Sequence, residues 1–256
     1  MTDPVAAEPT SSSVADTAPQ PVLALDDVHA GYGQFRALFG ISFTIGEAQA
    51  LALIGPNGAG KTTVARVASG LIAPERGRVT VGGEDFTGRP PQAFARAGVA
   101  HAPEGRSVFA TLTVEENLTL PFRQRFGRSG LTDALERAYE MFPRLGERRR
   151  QEAGSLSGGE QRMLTLAGVL VLEPKVLIAD ELSLGLAPII TDEIYAVLGR
   201  ILAAGTALLV VEQHVDRALD IADEVAVLER GAVVQSGHPS REDILESVFG
   251  TKGVHA

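Results

Sequence analysis

The chain has no cysteine among its 256 residues, which excludes disulfides and thiolate metal ligands and fits a reducing compartment. It also has no excess of basic charge: 23 Lys and Arg stand against 32 Asp and Glu, for a formal net charge of -9. A nucleic-acid-binding chain normally presents a basic face, so this balance argues against a nucleic-acid partner. No apolar run approaches the roughly 20 residues of a membrane span. The longest, Met163 to Leu172, is interrupted by Thr165 and Gly168 and ends at Glu173-Pro174. The N-terminus shows neither a basic segment nor an apolar core, so a secretory signal is not expected. Together these absences lead us to expect a soluble cytoplasmic protein, free to dock on a membrane partner.

What is present is a 45% apolar composition, enough for one α/β unit with an inserted subdomain. Residues 1–21 are rich in Pro, Ala, Ser and Thr and hold no Lys, Arg or aromatic, which reads as a disordered tail. From Val22 the chain turns to short β-like runs, Val22–Leu25 and Ile41–Ile45, and then Ala48–Ile54, a short apolar run that reads as a buried strand. A turn at Pro74–Gly77 precedes a strand at Arg78–Val81; Pro91 opens a short helix, and Val99–Ala102 reads as another buried strand. Thr113 and Glu116 make a capping box, and Thr132–Phe142 carries a second helical period with Leu131 and Leu135 at staple spacing. The block from about 105 to 160 lacks strand signals and reads as a helical insert. Within it Arg148-Arg149-Arg150 reads as a solvated loop face.

The stretch that organises the chain is Gly55-Pro56-Asn57-Gly58-Ala59-Gly60-Lys61-Thr62, followed by Thr63 and a helix-like run to about residue 70. It satisfies the G-x-x-x-x-G-K-[ST] pattern in its required strand-loop-helix context. Glycines at 55, 58 and 60 let backbone N–H groups close around a polyphosphate, and the helix N-terminus near Lys61 adds partial positive charge. Lys61 supplies a full charge, and Thr62 a hydroxyl for Mg²⁺. The same pattern could arise as a glycine-rich turn with a chance lysine, but the flanking strand and helix favour the phosphate reading.

Three more features follow in chain order. Leu156-Ser157-Gly158-Gly159-Glu160-Gln161 opens a helix; Ser157 and Glu160 have a plain reading as a capping box, whereas two adjacent glycines in a first turn imply close approach to the backbone. Lys175–Asp180 is an apolar strand ending in the carboxylates Asp180 and Glu181, where ligands bind in open parallel sheets. Ala207–Val211 is a strand delivering Glu212, Gln213 and His214. A helix at Val215–Ala222, a strand at Val225–Leu228 with a turn at Gly231, and a helix near Arg241–Phe249 complete the chain. Alternating strands and helices after such a loop imply a mostly parallel sheet. Alone, Glu181 reads as a surface carboxylate and His214 as a satisfied strand-end histidine; beside the phosphate loop and the glycine pair the functional reading takes precedence. Tyr32, between Gly31 and Gly33, reads equally as a ring packed on its own sheet or one that stacks on a base.

Together these elements resemble the ATP-binding subunit of ABC transporters, over about residues 22 to 250. The resemblance implies an α/β P-loop NTPase of the RecA-like kind, with a mostly parallel sheet, an N-terminal antiparallel β subdomain and an inserted helical subdomain, residues 251–256 being flexible. It implies ATP and Mg²⁺ as cofactors. Asp180 would hold Mg²⁺ with Thr62, Glu181 would polarise the attacking water, His214 would contact the γ-phosphate, and Tyr32 would stack on adenine. Ser157, Gly158, Gly159 and Glu160 would close over the nucleotide of a second subunit, alike or different, so that two ATPs lie between two chains.

The sequence departs from the family pattern at three places. Glu104 stands where many relatives carry a glutamine that senses Mg²⁺ and the transmembrane partner; Leu182 replaces a proline; and Ser183–Leu186 replaces a loop usually ending in aspartate. Pro103–Arg106 with Phe109, Leu112–Leu118 and Ser183–Pro188 resemble the shorter ATPase subunit of branched-chain amino-acid importers. That implies two permease subunits, a partner ATPase, indirectly an extracytoplasmic binding protein, and a peripheral place on the cytoplasmic face of the membrane. Urea or amide import, a soluble ABC ATPase acting on ribosomes or DNA, and a catalytically silent assembly subunit are the alternatives. A single cassette, the negative charge and the intact Lys61, Asp180, Glu181 and His214 speak against the last two.

Overall fold

In a computed structural model of the chain, residues 20–105, 107–213, 215–238 and 241–244 are described. The expected tail lies outside them except for Gln20 and Pro21, as do His214 and the last residues of the expected C-terminal helix.

The chain opens with an antiparallel hairpin, β1 (Leu23–Tyr32) and β2 (Phe35–Ile45), far longer than the two runs expected from sequence. Next come β3 (Ala50–Ile54), α1 (Lys61–Ala68), β4 (Arg76–Val81), β5 (Glu84–Asp85), α2 (Pro91–Ala97) and β6 (Val99–Ala102). Arg76 and Gly77 already belong to β4, because β1 extends far enough for His29 to pair with Arg76, so the expected turn at Pro74–Gly77 is shorter. The helical stretch holds α3 (Val114–Phe126), α4 (Leu131–Met141), α5 (Pro143–Glu147) and α6 (Gly158–Leu170). Leu131 is the first helical residue of α4, with Gly130 as its cap, so it does not staple that helix from outside. The chain then runs through β7 (Val176–Asp180), α7 (Pro188–Ala203), β8 (Ala207–Glu212), α8 (Val215–Leu219), β9 (Glu224–Glu229) and β10 (Ala232–Gly237). Helix α8 ends earlier than the expected Ala222, and α5, α7 and β10 are elements that the sequence reading did not place.

Two sheets result. The first is antiparallel in the order β2-β1-β4-β5; the second runs β10-β9-β3-β8-β7-β6, parallel throughout except for the antiparallel edge pair β10–β9. Every residue of β3, β7 and β8 is buried, which explains why these strands read as continuous apolar runs: both faces are covered. One apolar core joins the two sheets across α1 and α2; another packs the parallel sheet on α3, α4, α6 and α7; a small third cluster includes Val215 and Ala218 of α8. The parallel strands β3, β7 and β8 all deliver their C-terminal residues to one edge, the place where loops can converge on a ligand.

Candidate active site

The loop from Gly55 to Gly60 joins β3 to α1, and its glycines serve different ends. A Cβ on Gly55 would lie 2.2 Å from the carbonyl oxygen of Leu228, so the packing on β9 by itself requires glycine there. Gly58 and Gly60 take positive φ of 79° and 107°, and Gly60 caps α1 without any side-chain hydrogen bond. The first N–H groups of α1 therefore face the loop unmasked by a capping side chain. Lys61 is 4% exposed. Its Nζ donates to the carbonyls of Gly55 (3.0 Å) and Pro56 (3.3 Å) and lies 3.3 Å from Glu181 Oε1.

Across the sheet edge, β7 ends at Asp180, which is fully buried; among the described residues neither carboxylate oxygen has a partner at full hydrogen-bond geometry, and Thr62 is the hydroxyl that acts on it. Burial, then the charges of Glu181 and Glu104, push its pKa up to about 6, against weaker opposing effects of Thr62 and Lys61. A buried carboxylate left unpartnered is costly unless a cation or proton relieves it. Glu181 follows at φ 48°, a backbone conformation that a non-glycine residue occupies only when its surroundings hold it there. Lys61, Thr62, Glu104 and Glu181 line one pocket of about 410 Å³ with Asn57 and Thr63. Among the described residues no group of three or more His, Cys, Asp or Glu could hold a metal alone. The donors here, one hydroxyl and one buried carboxylate beside the phosphate loop, fit a cation that arrives already bound to phosphate oxygens.

The glycine pair lies elsewhere. Ser157 caps α6 by a complete box: Glu160 N–H donates to Ser157 Oγ (3.3 Å) and Ser157 N–H to Glu160 Oε2 (2.9 Å). Arg148 Nε lies 3.1 Å from Glu160 Oε1, so the first of the three arginines is an ion-pair partner of the box and not merely solvated. Ser157 and Gly158 are exposed, and a Cβ on Gly158 would meet open space. Gly159 is different: a Cβ there would sit 2.7 Å from Ile190 Cγ2 of α7. None of these residues lines the pocket that holds Lys61. The sequence brings the phosphate loop, Glu104 and the Asp180-Glu181 pair together, and leaves the Ser157 turn on a separate surface.

Tyr32 is 45% exposed at the end of β1, its hydroxyl accepting from Arg66 Nη1 at 2.9 Å. Glu212 and Asn117, which no motif assigns a role of their own, hold two of the turns around the site. Glu212 is 1% exposed and accepts from Ser183 N–H (3.1 Å), Ser183 Oγ (2.8 Å) and the Tyr195 hydroxyl (3.1 Å). Asn117 accepts from Phe109 N–H (2.8 Å) and donates to the carbonyls of Phe109, Leu112 and Thr113, which fixes the loop after Glu104. The only signal for Glu212 was a carboxylate at the end of an apolar run.

Comparison with known proteins follows the same lines. Residues 38–183 match the family model described as ABC transporter. The high-affinity branched-chain amino acid transport ATP-binding protein BraG of Pseudomonas aeruginosa is 39% identical over 83% of this chain and 91% of its own length. A probable branched-chain amino acid transport ATP-binding protein, LivF of Archaeoglobus fulgidus, is 36% identical over 82% of this chain and 89% of its own. Nod factor export ATP-binding protein I of Paraburkholderia xenovorans is 35% identical over 87% and 72%. Among solved structures, the ATP-binding subunit of an ABC transporter superposes with a TM-score of 0.77 at 27% identity, over 91% of this chain and 95% of that one.

Proposed function

Because this chain belongs to the ABC transporter family, we propose that it is the ATP-binding and ATP-hydrolysing subunit of an importer, for branched-chain or other hydrophobic amino acids. The observation that carries the reading is the meeting of two elements at one sheet edge. The phosphate loop presents Lys61, and the turn after β7 presents Glu181 3.3 Å from it, beside the buried Asp180, whose oxygens have no full hydrogen bond among the described residues.

The chemistry follows from that placement. Loop N–H groups and Lys61 hold the ATP phosphates. Thr62 and Asp180 would hold Mg²⁺, with Glu104 facing the same pocket; when bound, the ion neutralises phosphate charge. Lys61 cannot give its full charge to Glu181 and to phosphate at once, so phosphate binding frees the Glu181 carboxylate to orient a water at the γ-phosphate. His214 is assigned to the γ-phosphate and Tyr32 to the adenine by family resemblance. Ser157, Gly158, Gly159 and Glu160 are assigned by family resemblance to the nucleotide of a second ATPase chain, alike or different, with Ser157 and Gly158 the exposed pair.

The substrate class rests on the two branched-chain amino acid relatives, which match over about nine-tenths of their own length. The export relative covers a smaller share of its own length, and the importer reading is preferred. On this reading the chain sits on the cytoplasmic face of the membrane beside permease subunits, served by an external binding protein. Among the described residues no helix is long and apolar enough to cross a membrane. The test is uptake of labelled leucine by cells lacking the gene: the wild-type gene restores it and Glu181→Gln does not. Unchanged leucine uptake in the deletion strain would remove the substrate assignment. ATP turnover by purified Glu181→Gln at the wild-type rate would remove the assigned role of Glu181.

A further inference from the structure

Arg162 sits in the second turn of α6 and is only 6% exposed, an unusual burial for a guanidinium. It does not face a carboxylate head-on. Its Nη1 donates to the carbonyl of Pro103 (2.7 Å) and its Nη2 to the carbonyl of Glu181 (3.2 Å). Pro103 immediately precedes Glu104, so one side chain grips the backbone of both loops that carry acidic residues into the phosphate pocket. Burial lowers the pKa of the guanidinium, and the carboxylates of Glu104, Glu212, Asp180 and Glu181 oppose that shift. If filling space were the need, an apolar chain of similar volume would serve as well or better.

The turn at Glu181 is held from the other side too. Glu181 N–H donates to the carbonyl of Val211, and Ser183 is bonded through its N–H and its hydroxyl to the buried Glu212. A residue at φ 48° is thus fixed by α6 on one side and β8 on the other. We propose that Arg162 is a positioning residue: from the helix that Ser157 opens, it locks the loop of Glu104 and the turn of Glu181 at one separation, with Glu212 as the opposing anchor. The inference rests on the ATPase reading above and names a regulator of that same site. It also gives the Ser157 surface a rigid connection to the pocket, since the helix that starts at one ends its first two turns on the other.

The experiment uses the full-length chain and the variants Arg162→Met, Arg162→Lys and Glu212→Gln. Steady-state ATP hydrolysis is measured beside binding of a fluorescent ATP analogue, thermal melting and amide exchange at Glu181 and Ser183. Arg162→Met is expected to lower kcat about 10- to 100-fold with KM within about twofold, since loss of aim and not of binding is the defect. Arg162→Lys, which keeps the charge but replaces the two-nitrogen fork by a single ammonium nitrogen, recovers part of kcat. Exchange at Glu181 and Ser183 quickens in Arg162→Met, and at Ser183 in Glu212→Gln, in protein that remains folded by melting. Wild-type kcat in Arg162→Met, or a raised KM at unchanged kcat, overturns the proposal. Should Arg162→Met fail to fold, the same split between kcat and KM is read in Arg162→Lys and Glu212→Gln. A wild-type chain that binds no ATP and hydrolyses none would instead defeat the ATPase reading. Amide exchange, which needs no catalysis, then decides the clamp alone: unchanged protection in the variants ends it.

Discussion

Lys61 and Glu181 show how a buried charge is kept usable. Two loop carbonyls and one carboxylate satisfy the ammonium, so Lys61 is held in place without being consumed by a single strong partner. Truncation removes the loop's only full positive charge and leaves Glu181, itself buried, without its cation. Lys61→Ala is therefore expected to weaken ATP binding by about 30-fold or more, read by titration with a fluorescent analogue, and normal affinity would contradict the phosphate role. A second buried group lies outside the pocket. His101 on β6 has Nδ1 3.2 Å from Ser69 Oγ, while its Nε2 is enclosed with no partner among the described residues. Burial, with a smaller push from Arg66, lowers its pKa from 6.5 to about 4. The unfolded chain therefore takes up a proton below pH 6.5 that the folded chain refuses until about pH 4. Stability is intact above that window and falls as pH drops through it, by on the order of 3 kcal/mol. Melting curves of wild type and His101→Gln should converge in shape above pH 7 and diverge between pH 6.5 and 4, the wild type losing more. Parallel losses in the two proteins would show that His101 is not the group responsible.

At the scale of elements, what was legible in the sequence is what local chemistry dictates. Buried parallel strands announce themselves as apolar runs, and both capping boxes, at Thr113 and Ser157, form as their residue spacing requires. The phosphate loop declared its strand and helix because its glycines and lysine have meaning only between the two. What was not legible depends on partners far along the chain. The long hairpin β1–β2 is set by pairing with β4, Glu212 acquires its role only when the Ser183 turn folds over it, and β10 exists because β9 offers it an edge. The glycine pair makes the distinction testable. Gly159 is needed by its own chain, since Ile190 occupies the space of a Cβ, whereas nothing among the described residues needs Gly158. Gly159→Ala should cost about 1–3 kcal/mol. Gly158→Ala should leave stability within about 0.5 kcal/mol of wild type and still reduce ATP turnover. Thermal melting and an ATPase assay on both variants separate the two effects; full turnover in Gly158→Ala would mean that no ligand approaches that backbone.

At the scale of the whole molecule, the phosphate loop and the Ser157 turn cannot serve one another. The phosphate loop follows β3, near the middle of the parallel sheet, while α6 packs against β6 at its far edge and α3 beyond it. Three strand steps separate β3 from β6 in the sheet order, and neither Ser157 nor Gly158 contributes to the pocket around Lys61. Ser157 and Gly158 lie exposed at the start of α6, with nothing among the described residues over Gly158, and we assign that surface to a nucleotide held by another chain. Each copy also carries a net charge of -9, so two copies repel unless something specific bridges them. The proposed bridge is ATP itself, with hydrolysis cutting it. Glu181→Gln, which spares the phosphate loop, should therefore run at twice the monomer mass in light scattering with ATP and Mg²⁺, and at the monomer mass with ADP. Adding Gly158→Glu, which sets a carboxylate against the incoming phosphate, should keep ATP binding in the loop and abolish the doubling. A Glu181→Gln chain that binds ATP and stays monomeric would assign the second half of the site to a different ATPase chain. Doubling that survives Gly158→Glu would place the contact between copies elsewhere and detach the Ser157 turn from the nucleotide.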